Sequence, residues 1–195
     1  MKRYIPFILL LLICNAASAQ FTVTVNWPAG SNADNADTVY YDSNRKLNWK
    51  DFKGRPDHNS MAAAITESGF GYKMSMQSTN GRASLVITVF CYFNRKKSWV
   101  KGAMDTEYAL THEQHHFDIT YINTSLFVQK LRAAKFTSGN YADLVDSIYD
   151  ECYQALQTMQ DQYDGQTSNG RIKNVQASWN KKIDQLLVEP VINLQ

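Results

Sequence analysis

Phe70-Gly71-Tyr72-Lys73-Met74-Ser75-Met76 and Leu85-Val86-Ile87-Thr88-Val89-Phe90-Cys91-Tyr92-Phe93 flank the dipeptide Asn80-Gly81. Both runs are rich in β-branched and aromatic residues, and their apolar side chains alternate as in a strand with one buried face. Asn-Gly between two such runs is a strong hairpin signal, because both residues accept the positive φ angles of a type I′ turn. The pattern predicts a long antiparallel hairpin.

Before the hairpin, Phe21 to Trp27 reads as a short strand, and Pro28 to Asp37 as a loop rich in Gly, Ser, Asn and Asp. A mixed stretch from Tyr40 to Trp49 ends in the punctuation Lys53-Gly54-Arg55-Pro56. After the hairpin the periodicity becomes helical. Tyr108, Thr111, Ile119, Ile122, Leu126 and Leu131 recur at helical spacing, with Asp105 or Thr106 as N-cap, until Thr137-Ser138-Gly139-Asn140 breaks the run. Tyr141 to Tyr163 carries Leu144, Ile148, Cys152, Ala155 and Met159 on one face and predicts a second helix. A third is expected from Val175 to Val188, after a loop from Gly165 to Arg171. Strands first and helices second indicate an α+β domain, an N-terminal antiparallel hairpin packed with about three C-terminal helices.

The first helix contains His112-Glu113-Gln114-His115-His116. Residues four apart share a helix face, so His112 and His116 can direct imidazole nitrogens at one metal ion, with Glu113 beside them as general base. Zinc suits this set, since it takes neutral imidazole and keeps a position open for water. A chance H-E-x-x-H is expected in roughly one chain of this length in a few hundred. His115 projects about 100° from His116 and is expected to face solvent or form a hydrogen bond of its own.

Two histidines leave the third protein ligand open. Ile119 and Ile122 stand where one large protease class has Gly and His, so the ligand must come from further along the chain. Glu151 on the second helix has the chemistry of a third ligand, but reads more readily as a solvated carboxylate beside Asp150. Asp164 and Asn169 lie in the polar stretch Tyr163 to Gly170, where either could be aimed back at the helix or could simply stabilise a turn. His58 is chemically apt but has only a loop position to recommend it.

The beginning of the chain reads as a signal peptide: basic Lys2 and Arg3, the apolar run Ile5 to Ile13, and Ala17-Ser18-Ala19 before Gln20. The run is shorter than the roughly 20 residues of a spanning helix. Cys14 follows bulky Ile13, which disfavours a lipid anchor there. Cleavage near Ala19 would export the protein to the periplasm or beyond, leave residues 20–195 as one domain, and remove two of its 20 basic residues. The remaining 18 balance 18 acidic residues. A neutral chain without long basic clusters argues against nucleic acid as a partner, and no stable membrane anchor is expected. Cys91 and Cys152 could form a disulfide in an oxidising compartment, or could be small buried hydrophobes. Trp27, Trp49, Trp99 and Trp179 could together form a carbohydrate-binding face, although aromatic residues are more often core.

Several segments in order carry a resemblance to a known group. They are Leu47 to Gly54, Ala63-Ala64-Ile65-Thr66-Glu67-Ser68-Gly69, Lys97-Ser98-Trp99-Val100, the histidine motif through Ile119, and Tyr163-Asp164 through Trp179. In these the chain resembles the DUF922 family of predicted secreted bacterial zinc-dependent proteases, over nearly all of its length beyond Gln20. The resemblance implies a zinc-peptidase fold, a bound zinc ion and a peptide or protein substrate. The family motif usually has Gly at the position of His115. Its closing motif, Y-D-x-x-T-x-H-G, has a histidine where this chain has Asn169, which the resemblance makes the natural third-ligand position. Asn is a poor zinc ligand, because its amide oxygen is neutral and weakly basic. Two readings therefore stand: a zinc metallopeptidase, with either a water-rich site that holds zinc more weakly or a carboxylate such as Asp164 as substitute ligand, and a secreted binding or scaffold protein whose metal site has decayed.

Overall fold

Asn80 and Gly81 adopt φ angles of 50° and 75°, so the turn is built as the Asn-Gly pair requires. It joins strands Ser68–Thr79 and Arg82–Asn94, paired from Thr79 opposite Arg82 to Ser68 opposite Phe93. The second strand buries Leu85, Ile87, Val89, Cys91 and Phe93 on one face. This is the computed structural model of the chain, described for residues 20–27 and 35–188. The expected signal peptide and Cys14 lie outside the described residues, as does most of the loop from Pro28.

In chain order the strands are β1 (Gln20–Asn26), β2 (Thr38–Tyr40), β3 (Ala64–Ile65), β4 (Ser68–Thr79), β5 (Arg82–Asn94) and β6 (Trp99–Val100). The helices are α1 (Glu107–Ala133), α2 (Tyr141–Thr167) and α3 (Lys173–Val188). The fold is α+β, with the strands preceding the helices. The sheet is mixed where an antiparallel one was expected. β4 takes one edge of β5, and on the other edge β1 runs parallel to β5 while β2 pairs antiparallel at its far end. The long connection from β1 back to the hairpin permits a parallel pairing that no tight turn could make. A separate ribbon pairs β3 with β6.

α1 is the centre of the molecule. Its Ile119, Ile122, Phe127, Val128 and Leu131 meet Phe70, Leu85, Ile87 and Val89 of the sheet on one side, and Val145, Ile148, Cys152, Leu156, Tyr163, Trp179 and Ile183 of α2 and α3 on the other. Phe117 of α1 also closes a second cluster with Val39, Tyr41, Leu47, Phe52, Cys91 and Phe93. Covered on several sides, the helix buries polar residues as well, and satisfies many of them internally. The hydroxyls of Thr120 and Thr124 and the amide of Asn123 donate to carbonyls one turn back. Thr106 is the N-cap, its hydroxyl accepting from the Ala109 N–H at 3.1 Å.

One further boundary is corrected, and two readings left open by the sequence are decided. The stretch after Tyr163 is helical as far as Thr167, because Thr167 Oγ1 bonds back to the Tyr163 carbonyl and the chain turns only at Ser168, Asn169 and Gly170, all with positive φ. Cys91 and Cys152 are free thiols buried in different clusters, so of the two readings the small-hydrophobe one holds. No tryptophan face exists: Trp99 and Trp179 are buried, and Trp27 and Trp49 are half-buried against other aromatic rings.

Candidate metal centre

One face of α1 presents His112 and His116 together, as their spacing of four requires. Their Nε2 atoms lie 3.2 Å apart. Asp164, in the last turns of α2, places Oδ1 3.2 Å from His112 Nε2 and 3.1 Å from His116 Nε2. The three atoms form a nearly equilateral triangle. Ligand atoms about 2.0 Å from a tetrahedral ion are about 3.3 Å from one another, so the triangle has the dimensions of one face of such a site.

The protons on the imidazoles can be assigned from their outer partners. His116 Nδ1 faces Gln160 Oε1 at 2.5 Å, and the Gln160 amide nitrogen donates to the His116 carbonyl at 2.9 Å. A carbonyl can only accept, so the Gln160 oxygen must be the atom facing the ring, and Nδ1 must donate to it. His112 Nδ1 faces Gln176 Oε1 at 2.9 Å, while the Gln176 amide nitrogen donates to the Tyr163 hydroxyl and to Asn180 Oδ1. In its neutral form each ring therefore carries its hydrogen on Nδ1 and directs the Nε2 lone pair at Asp164 Oδ1. Three acceptors converge without a donor among them, which is unfavourable unless a cation or proton lies between them.

The charges agree with this. Burial disfavours the His116 cation, but contact with Asp164 and the nearby charge of Glu113 outweigh burial and raise its pKa to about 9. Burial pushes the Asp164 carboxyl the opposite way, and contacts with His112 and His116 overcome it, holding the acid well below the usual carboxylate range. Asp164 Oδ1 is buried within ion-pair distance of both rings, yet meets the angular requirement of a hydrogen bond with no described group. Glu113 is buried beside it, and its Oε2 also lacks a hydrogen-bond partner among the described residues. Two orphaned carboxylate oxygens and two aligned imidazole lone pairs are a donor set that fits a divalent cation. His112, His116 and Asp164 are the residues that could hold it.

The centre opens on a cleft of about 590 Å³, lined on one side by residues 61–68 around β3 and on the other by α1 and the end of α2. Glu113 and Asn169 both line it. Asn169 is exposed at its rim with φ 52°, and its backbone N–H caps α2 by donating to the Asp164 carbonyl at 2.9 Å. The other candidates lie elsewhere. His58 is exposed in its loop, and Glu151 is engaged at the surface by Lys130 at 3.1 Å. His115 is buried, not solvent-facing, because the loop before Leu47 and α3 cover it; Asp184 approaches it at 3.7 Å, and burial lowers its pKa.

Sequence reasoning missed Gln160, Tyr163 and Gln176. Tyr163 stacks on His112 with ring centroids 4.7 Å apart and packs edge-on against His116. A signal was present, since Gln160, Tyr163, Asp164 and Thr167 follow the i, i+3, i+4, i+7 spacing of one helix face. No family model, curated protein or solved structure matches this chain.

Proposed function

We propose that the cleft is the active site of an exported zinc-dependent peptidase of the DUF922 type. The observation that carries this reading is the 3.1–3.2 Å triangle of His112 Nε2, His116 Nε2 and Asp164 Oδ1, with the buried carboxylate of Glu113 next to it. A zinc ion held there would supply Lewis-acid activation of water and of the substrate carbonyl. Glu113 takes the proton that water loses as its oxygen bonds to the carbonyl carbon. When the C–N bond breaks, the same carboxyl delivers that proton to the leaving amine. Gln160 and Gln176 hold the two rings in the tautomer that leaves Nε2 free.

The scaffold reading took its motive from Asn169, and Asp164 supplies a third donor without it. No described helix is long and apolar enough to cross a membrane. The test is to purify the chain after export, quantify bound zinc, and compare cleavage of casein by wild type and Glu113→Gln. Stoichiometric zinc in both with hydrolysis only in the wild type supports a peptidase. Absence of zinc, or equal hydrolysis by both proteins, rejects it.

A further inference from the structure

Apart from the histidines, the charged side chains lining the cleft are Glu67, Glu113, Asp164, Arg171 and Lys173. Glu113 and Asp164 belong to the metal centre, where a divalent cation balances their two negative charges. Glu67, after β3, faces Lys97 at 3.9 Å. Arg171 and Lys173 remain. Both are exposed, and among the described residues neither enters an ion pair or a side-chain hydrogen bond, while Lys173 Nζ lies 5.9 Å from the ring centroid of Tyr108. Two uncompensated positive charges therefore stand at one end of the cleft.

Their backbone is fixed beside the centre. The Arg171 N–H donates to the Ser168 carbonyl at 3.3 Å and the Ile172 N–H to the Thr167 carbonyl at 2.9 Å. Gly170, the residue before Arg171, packs so closely on His112 that a Cβ would lie 3.3 Å from Nδ1, and its carbonyl accepts from the Tyr108 hydroxyl at 2.6 Å. Folding does not ask for cations here. A helix start carries partial positive charge and favours acidic side chains. α1 has Glu107 and α2 has Asp143 in the first turn, whereas α3 has no acidic residue there and is entered through Arg171-Ile172-Lys173. Helix dipole and both side chains add with the same sign, which disfavours the fold and favours an anion.

We infer that Arg171 and Lys173 bind a carboxylate of the peptide substrate, carried by an Asp or Glu side chain or by a free C-terminus, at the Tyr108–Gly170 end of the cleft. Arg171 offers the carboxylate two parallel N–H donors, and Lys173 adds a second charge without a fixed geometry. The inference rests on the peptidase reading, which supplies the peptide. It makes acidic segments the preferred substrates and lysine-rich ones poor.

The test measures binding separately from cleavage. Full-length secreted protein carrying Glu113→Gln, loaded with zinc, is titrated into short peptides of leucine, alanine and serine that bear an uncharged dye, and fluorescence anisotropy gives Kd. One peptide is neutral with an amidated C-terminus. Others carry a single glutamate or a single lysine at each position in turn, and a last one is neutral with a free C-terminal carboxylate. Either a glutamate peptide or the free-carboxylate peptide should bind about tenfold tighter than the neutral amide, and no lysine peptide should bind tighter. An advantage confined to glutamate assigns the carboxylate to a side chain, and one confined to the free acid assigns it to the chain end. Adding Arg171→Gln with Lys173→Gln should bring acidic and neutral peptides within about twofold of each other. Arg171→Glu with Lys173→Glu should reverse the preference towards lysine, an outcome that a damaged fold cannot produce. Equal affinity for all peptides, or an acidic preference that persists in the reversed variant, overturns the inference. A protein that shows the acidic preference while its wild type cleaves nothing overturns the peptidase reading alone. One that cleaves casein without the preference overturns the carboxylate site alone.

Discussion

Gln176 Oε1 sits 2.9 Å from His112 Nδ1, and the same amide's nitrogen is held by the Tyr163 hydroxyl at 2.6 Å. A neutral amide thus does for His112 what a carboxylate does in many metal sites: it fixes tautomer and ring orientation, but without adding charge. Gln160 does the same for His116. Gln160→Leu keeps approximate volume and removes the acceptor. Zinc affinity, measured by competition with a chromophoric chelator, should fall by about 10–100-fold. Gln160→Glu should restore most of that loss, because a carboxylate accepts from Nδ1 at least as well. A Leu variant with unchanged affinity would show that the ring is held by packing alone.

The third ligand can be assigned by comparing two substitutions. Asp164→Asn should lower zinc affinity by about 100-fold or more, since a neutral amide replaces the only carboxylate in the triangle. Asn169→Ala should change it by less than about threefold, because Asn169 is exposed and contributes its backbone to the α2 cap. The opposite ranking in a chelator titration would return the ligand to position 169.

Zinc binding should release protons. With its pKa raised to about 9, His116 is protonated in the metal-free protein at pH 7.5, and the metal requires it neutral. Calorimetric titration in buffers of different ionisation enthalpy should give release of about one proton at that pH, declining as pH passes 9. The sign for folding follows from the same shift. A histidine pKa raised above the unfolded value of about 6.5 gives a stabilisation fully present below 6.5 and lost as pH rises through 9. Metal-free wild type should therefore lose thermal stability over that window, and His116→Gln should lose less.

Gly170 has φ 78°, and a Cβ there would lie 3.3 Å from His112 Nδ1. Gly170→Ala combines left-handed backbone strain with a push on the ring. Chemical denaturation should show a loss of about 1–2 kcal/mol, accompanied by weaker zinc binding. Gly102→Ala has no neighbour within 4 Å of the added carbon and should leave zinc binding as it is.

The parts of this molecule that were legible in the sequence are those encoded by neighbours. Asn80-Gly81 specifies its turn, the alternation from Leu85 to Phe93 specifies a buried strand face, and His112 and His116 share a face by spacing alone. What escaped was encoded by distant contacts. β3 and β6 are two residues each, too short to show a period, and only their pairing makes them strands. The parallel course of β1 has no local signature. For His115 the choice between facing solvent and a buried contact stayed open, because nothing nearby in sequence reports that α3 covers it. Asp164 and Asn169 are both turn-forming types, and the sequence offers Asn169 by family resemblance and Asp164 as its carboxylate substitute, without placing either at the helix. They separate once Thr167 carries α2 past Asp164, which places its carboxylate over α1 and leaves Asn169 in the turn.

The decisive measurement is a crystal structure of the zinc-loaded protein with anomalous diffraction collected at the zinc edge. One peak within about 2.2 Å of His112 Nε2, His116 Nε2 and Asp164 Oδ1 is the expected outcome, with Gln160 and Gln176 still facing the Nδ1 atoms. No peak between the two histidines, or one whose protein ligands omit Asp164, would refute the metal centre described above.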